Sequence, residues 1–407
     1  MNRRDFLAAS ASIAALGPAM PAWAAAAEGG PSRLIVVMLR GAVDGLNVVV
    51  PYADPAYYDL RPTIAIAKPG GDGGALALDS QFALHPALAG LMSLWQRKQL
   101  AFVHASGSPD PSRSHFDAQL FIENGTPGTR ATEDGWLNRT LAALPGPRGP
   151  AEAVAVGPVL PFMLKGKMPA ANLPLGPAAG RKLPIDSPEI AGAFDQLYLG
   201  TGAQAHAYRE GRAARAELRA DMAPEQQMAD KGAPPANTYP AIAARLARLI
   251  GQDRRIRLAF TALGGWDTHV NQGSDKGQLA NHLRPLGDGL AALAQNLGRD
   301  WDDTVVVVVS EFGRTARENG NHGTDHGHGN VMWVLGGRVA GGRVYGEWPG
   351  LGPTQLHQNR DLAITTDYRD VFGTVLARHL RLGDPQLAQI FPGLPPAHAN
   401  LAALVEA

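Results

Sequence analysis

Five short apolar runs punctuate the chain: Leu34–Leu39, Leu100–Ala105, Leu258–Leu263, Val305–Val309 and Val331–Leu335. They are continuous rather than alternating, and several are rich in β-branched side chains. Such runs predict strands buried on both faces, as in a parallel sheet covered by helices. Between them the apolar period lengthens. Pro86–Gln96 places Leu88, Leu91, Leu94 and Trp95 on one helical face, Leu283–Leu297 repeats Leu and Ala at the same spacing, and Tyr239–Ile250 is amphipathic. Strands alternating with helices predict an α/β fold around a mostly parallel central sheet. Residues 203–232 break the pattern: Ala, Arg and Glu dominate, which predicts a solvated helix running into the Gly-Ala-Pro-Pro turn at 232–235. The stretch of about 140–235 reads as a peripheral insertion.

Four of the five runs lead directly into polar loops. Leu39 is followed by Arg40-Gly41-Ala42-Val43-Asp44-Gly45, and Ala105 by a Ser/Pro-rich loop ending in Ser112-Arg113-Ser114-His115. Leu263 is followed by Gly264-Gly265-Trp266-Asp267-Thr268-His269. Val309 is followed by Ser310-Glu311-Phe312-Gly313-Arg314, and then by a run holding His322, Asp325, His326 and His328 among glycines. Ligands of open α/β sheets bind outside the carboxyl ends of the strands, so these loops are expected to converge on one site.

Their content suits a metal. Asp44, Asp267, His269, Glu311, His322, Asp325, His326 and His328 offer carboxylate oxygens and imidazole nitrogens without sulfur, matching zinc, then manganese, magnesium and calcium in decreasing order. Eight donors exceed one tetrahedral ion's needs, so two ions across a substrate oxyanion are within reach. Ser114-His115-Phe116-Asp117 reads as a capping box at a helix start. A helix N-terminus also favours an anion and a hydroxyl nucleophile, which keeps Ser114 a catalytic candidate. His115 stays open between ligand, proton carrier and packed residue.

The ends and the composition narrow the setting. Arg3-Arg4, a weakly apolar Ala-rich stretch to about Met20 and the small-x-small Ala22-Trp23-Ala24 read in order as a twin-arginine signal peptide over residues 1–26. That predicts export by the Tat translocase to the periplasm, with a single mature domain over 27–407. No later stretch is long and apolar enough to suggest a membrane span. The chain has no cysteine, which excludes disulfides, thiolate metal sites and a cysteine nucleophile. A formal charge of zero gives no sign of a nucleic-acid footprint.

The motifs Arg40–Gly45, Arg113–Gln119, Gly265–His269, Ser310–Thr315 and Asp325–Asn330 resemble those of the bacterial family called domain of unknown function 1501. More distantly, their order is similar to the alkaline phosphatase and sulfatase superfamily, which implies a three-layer sandwich and hydrolysis of phosphate or sulfate esters. In that superfamily a metal-binding Asp follows the first strand, a nucleophile starts a helix, and Asp/His pairs follow later strands. Asp44, Ser114, Asp267 with His269, and Glu311 or Asp325-His326 with His328 fill those slots. Arg113 and Arg314 would then offset charge on the transferred group. The chain departs from the sulfatase pattern, since Pro109 stands at the nucleophile position, so a formylglycine sulfatase is not expected. The resulting expectation is a periplasmic metal-dependent hydrolase of a small anionic ester. Its rival is a non-catalytic exported envelope protein that keeps the fold, with a structural ion or a partner-binding surface.

Overall fold

The computed structural model describes residues 31–146, 152–174, 229–394 and 401–406. The expected signal peptide and most of the solvated helix expected over 203–232 lie outside them. Ser32–Ala407 form one compact unit. Its strands are, in chain order, β1 (Arg33–Leu39), β2 (Val49–Val50), β3 (Leu76–Ala77), β4 (Ala83–Leu84), β5 (Leu100–Gly107), β6 (Ala153–Val156), β7 (Ala171–Leu173), β8 (Leu258–Leu263), β9 (Thr304–Ser310), β10 (Asn330–Gly336), β11 (Arg343–Tyr345) and β12 (Thr366–Asp367).

Nine of these form the central sheet in the order β11-β5-β10-β9-β1-β8-β6-β7, with β12 also on β5. All pairings are parallel except those of β10, which runs antiparallel to β5 and β9. The fifth apolar run thus departs from the parallel expectation, and composition could not reveal this, because both strand types are buried here on both faces. The consequence favours the site. The loop leading into β10 reaches the same sheet edge as the loops leaving β1, β5, β8 and β9.

Every residue of β1 and β9 is buried, and the period of two divides them between two cores. Ile35, Val37 and Leu39 pack with Leu88, Leu91, Leu246 and Leu290. Leu34, Val36 and Met38 pack with Trp136, Phe372 and Val375 on the other face. The first core is covered by α3 and α4, the second by α2 and α5, where α1 is His115–Asn124, α2 Trp136–Ala143, α3 Tyr239–Gln252, α4 Gln278–Leu297 and α5 Tyr368–Arg378. The result is the expected three-layer sandwich. Pro86–Gln96 is not one helix but a 3-10 segment, Pro86–Leu91, followed by an α turn, Met92–Gln96; Leu88 at φ −95, ψ 18 interrupts it. Within the segment expected to be peripheral, β6 and β7 extend the sheet beyond β8 to its edge. No helix of the described residues is long and apolar enough to cross a membrane.

Candidate metal centre

Three elements bring four side chains together at the carboxyl edge of the sheet. His115 is the first residue of α1, directly after the β5 loop. Asp267 and His269 lie in the extended loop after β8. His326 is placed by a short antiparallel ladder between residues 313–315 and 325–328, in which Thr315 N donates to Asp325 O at 2.9 Å and Gly313 N to His328 O at 2.9 Å. Alternation along such a ladder sends neighbouring side chains opposite ways. The approach is close: a Cβ on Gly327 would stand 2.4 Å from the carbonyl carbon of Arg314.

Single donor atoms of His115, Asp267 and His326 lie within 4.8 Å of one another. His326 Nε2 is 3.0 Å from both His115 Nε2 and His269 Nε2, and His269 Nε2 is 2.9 Å from Asp267 Oδ1. The far nitrogen of each ring is already engaged. His115 Nδ1 lies 2.7 Å from Glu311 Oε1, His269 Nδ1 3.2 Å from Asp325 Oδ1, and His326 Nδ1 2.9 Å from the Arg113 carbonyl. Three acceptors outside therefore leave three Nε2 lone pairs facing inward, the arrangement in which a ligating histidine donates its other N–H to a carboxylate or carbonyl. Asp267 Oδ2 is buried and makes no hydrogen bond. Three imidazole nitrogens and an orphaned carboxylate oxygen fit a divalent cation in chemistry, with nitrogen predominating as zinc prefers.

Electrostatics point the same way. Burial alone would lower the His115 pKa, but Asp267 and Glu311 outweigh it and push it up to about 9. Burial raises the Asp267 carboxyl, and the three histidines and Arg314 overcome this and hold it far below the ordinary carboxylate range. Glu311 is likewise brought down to about 2, against burial, by His115 and Gln119. The cluster calls for positive charge, whether carried by protons or by a metal.

The other residues singled out from sequence fall elsewhere. Asp44 is fully buried and held by Arg61, whose Nη1 donates to Oδ2 at 2.6 Å and Nη2 to Oδ1 at 3.0 Å; Gln272 adds a third bond at 2.6 Å. Both oxygens of the first-strand aspartate are thus engaged within the chain, by Arg61 and Gln272 rather than by the histidines. Glu311 and Asp325 stand behind histidines rather than among the inner donors. His322 is exposed, its Nδ1 3.0 Å from Thr63 Oγ1. His328 is buried and stacked on His357 with ring centroids 4.3 Å apart. Among the described residues one cluster, His115 with Asp267 and His326, has donor atoms spaced for an ion, and His269 adjoins it beside His326 and Asp267.

Arg314, expected to meet substrate charge, is buried and spends its Nη1 on Asp267 Oδ1 at 2.5 Å. Its remaining donors go to Thr324; the same Asp267 oxygen also lies 2.9 Å from His269 Nε2 and 3.4 Å from His326 Nε2, while the other oxygen lies 3.6 Å from His115 Nε2. Arg113 is bound to Asp361 at 2.6 Å and Gln358 at 2.8 Å. Ser114 precedes α1 but its side chain makes no capping bond; Asp117 of the expected capping box pairs with Arg130 at 2.7 Å, and the Ser114 N–H donates to Ser112 Oγ at 3.2 Å. The Ser114 hydroxyl is thus exposed beside His115. Sequence reasoning passes over Arg61, Gln272 and Asn319 and gives Gln119 only as the last residue of a motif; Gln119 donates to Glu311 and Asn319 to Asp325, while Arg61 and Gln272 hold Asp44. For His115 the available signal was its place at a helix start after a strand.

An α/β sandwich with a histidine- and aspartate-lined centre at the carboxyl edge of its sheet is the class of protein that fold and site define. The chain belongs to the family described as "Protein of unknown function (DUF1501)", whose model matches residues 31–391. No curated protein matches it. Similar solved structures include a protein in the alkaline phosphatase superfamily from Vibrio parahaemolyticus, at 9% identity and TM-score 0.37, with 79% of this chain and 64% of that one covered. Murine ectonucleotide pyrophosphatase/phosphodiesterase 5 in complex with AMP is similar at 9% identity and TM-score 0.38, with 92% and 100% covered. The PsFucS1 sulfatase from Pseudoalteromonas sp. is similar at 12% identity and TM-score 0.37, with 93% and 70% covered.

Proposed function

We propose that this chain is a metal-dependent hydrolase of phosphate or sulfate esters. The observation that carries the reading is the gathering of His115, His269 and His326 Nε2 around the Asp267 carboxylate, one of whose oxygens makes no hydrogen bond. These four residues would hold one divalent ion, with zinc the best match to three imidazoles and a carboxylate. A bound ion of this kind supplies Lewis-acid polarisation of an ester oxygen and offsets charge as the ester breaks. The His269 and His326 side chains are 19% and 16% exposed, so an anionic ester can approach from solvent. Ser114, uncapped and exposed at the start of α1, would attack the ester or orient the attacking water.

A second reading has its own support. Arg113 and Arg314 are both committed to carboxylates, which suits an exported envelope protein whose ion only braces the loops. Ser114→Ala separates the two. In the hydrolase, kcat on 4-nitrophenyl phosphate or sulfate is expected to fall by about a hundredfold or more with metal content unchanged. A wild type holding stoichiometric metal yet turning over neither ester supports the brace.

The working compartment proposed is the periplasm, reached through the Tat translocase, on the strength of Arg3-Arg4 and Ala22-Trp23-Ala24. The double change Arg3→Lys, Arg4→Lys is expected to hold the precursor in the cytoplasm in a fractionation blot. Undiminished export would remove this part of the reading.

A further inference from the structure

Arg40 and Gln119 take no part in the chemistry above, yet they are 5% and 0% exposed and their bonds lead to the site. Arg40 follows β1. Gln119 stands four residues after His115 in α1, so the two side chains share one face of the helix. Arg40 Nη1 donates to Gln119 Oε1, and Nη2 to Glu123 Oε1 at 2.9 Å. A guanidinium offers donors only, so the Gln119 amide has one acceptable orientation, with its oxygen toward Arg40. Its nitrogen then donates to Glu311 Oε1 at 2.9 Å and to the Ala229 carbonyl at 2.5 Å. Gly41 N adds a donor to the same Glu311 oxygen at 2.8 Å. The left-handed φ of +111° makes glycine the fitting residue there, and a Cβ would stand 2.7 Å from Asp267 N. Glu311 is thus fixed as an acceptor toward His115 Nδ1 at 2.7 Å. The His115 proton belongs on Nδ1, and the lone pair on Nε2.

We propose that Arg40 and Gln119 are positioning residues which, through Glu311, hold neutral His115 in its Nδ1–H form and so present Nε2 to the divalent ion. This rests on the metal-centre reading above. It also gives a joint purpose to two sequence motifs, one opening with Arg40 and the other closing with Gln119. The competing account is that Gln119 merely fills space and satisfies Arg40.

Two variants of the full chain decide between them. Gln119→Glu keeps the shape and an acceptor for Arg40 but removes the donor toward Glu311; Gln119→Met removes both. Zinc affinity, measured by competition with a chromophoric chelator, is expected to fall about 10–100-fold in both variants. Nitrogen-15 spectra of metal-free protein at pH 10 are expected to show wild-type His115 as Nδ1–H and the variants shifted toward Nε2–H. Wild-type affinity with an unshifted tautomer in Gln119→Glu overturns the proposal, as does a wild type with its proton on Nε2. If Gln119→Met does not fold, Gln119→Glu alone decides. The tautomer is read without metal. A protein with Nδ1–H His115 that takes up no zinc therefore fails the metal-centre reading and leaves the relay standing.

Discussion

His326→Ala is expected to leave a folded protein that no longer retains stoichiometric metal after dialysis, as read by elemental analysis. Its ring is central to the donor set, with Nε2 3.0 Å from each of the other two histidines. The side chain is partly exposed, so truncation removes a donor without opening a deep cavity. The wild type supplies a second measure. With a His115 pKa of about 9, the metal-free imidazole is protonated at neutral pH and must release that proton to bind an ion. Apparent affinity is expected to climb about tenfold per pH unit until about pH 9 and then level. Stability of the metal-free protein should run the other way. The folded pKa lies above the ordinary 6.5, so the contribution of His115 is present in full below that value and is lost as pH rises through about 9. Undiminished metal content in His326→Ala would end the four-donor assignment.

The sequence was informative where a residue's role follows from its place along a strand, and silent where it follows from the direction of a side chain. Leu34–Leu39 and Val305–Val309 announce buried strands because both faces are covered, and the strand-end rule then gathers the loops correctly. It does not say which loop residues face inward. Asp325 and His326 are adjacent, yet their ladder sends one behind His269 and the other into the cluster. Glu311, expected among the ligands, stands behind His115, whose role the sequence left open, because the carboxylate is buried beneath the imidazole rather than beside it. The glycines of 322–329 do permit close packing, but they spread the histidines to three places rather than around one ion.

Asp44 shows the largest gap between pattern and structure, and it carries the second large prediction. Its position after β1 suits a metal ligand, whereas its partner Arg61 lies in an unremarked turn 17 residues on. Arg61 is fully buried and uses all three of its nitrogens. Beyond the two bonds to Asp44, Nη1 donates to Asn47 Oδ1 at 2.7 Å, Nη2 to the Thr315 carbonyl at 2.9 Å and Nε to the Ala316 carbonyl at 2.9 Å. The guanidinium thus joins the β1 loop to the segment after β9, and both Asp44 oxygens have their charge met from within the chain. Arg61→Met leaves a buried carboxylate facing an apolar side chain. The expected cost is roughly 3–5 kcal/mol, a large share of the about 5–15 kcal/mol that holds a typical domain folded, and urea unfolding measures it. Arg61→Met combined with Asp44→Leu should recover part of the loss, since removing both charges removes the unpaired one. Asp44→Asn should keep full metal content if it folds. A drop in bound metal with stability intact would return Asp44 to the donor set and overturn its assignment as the partner of Arg61.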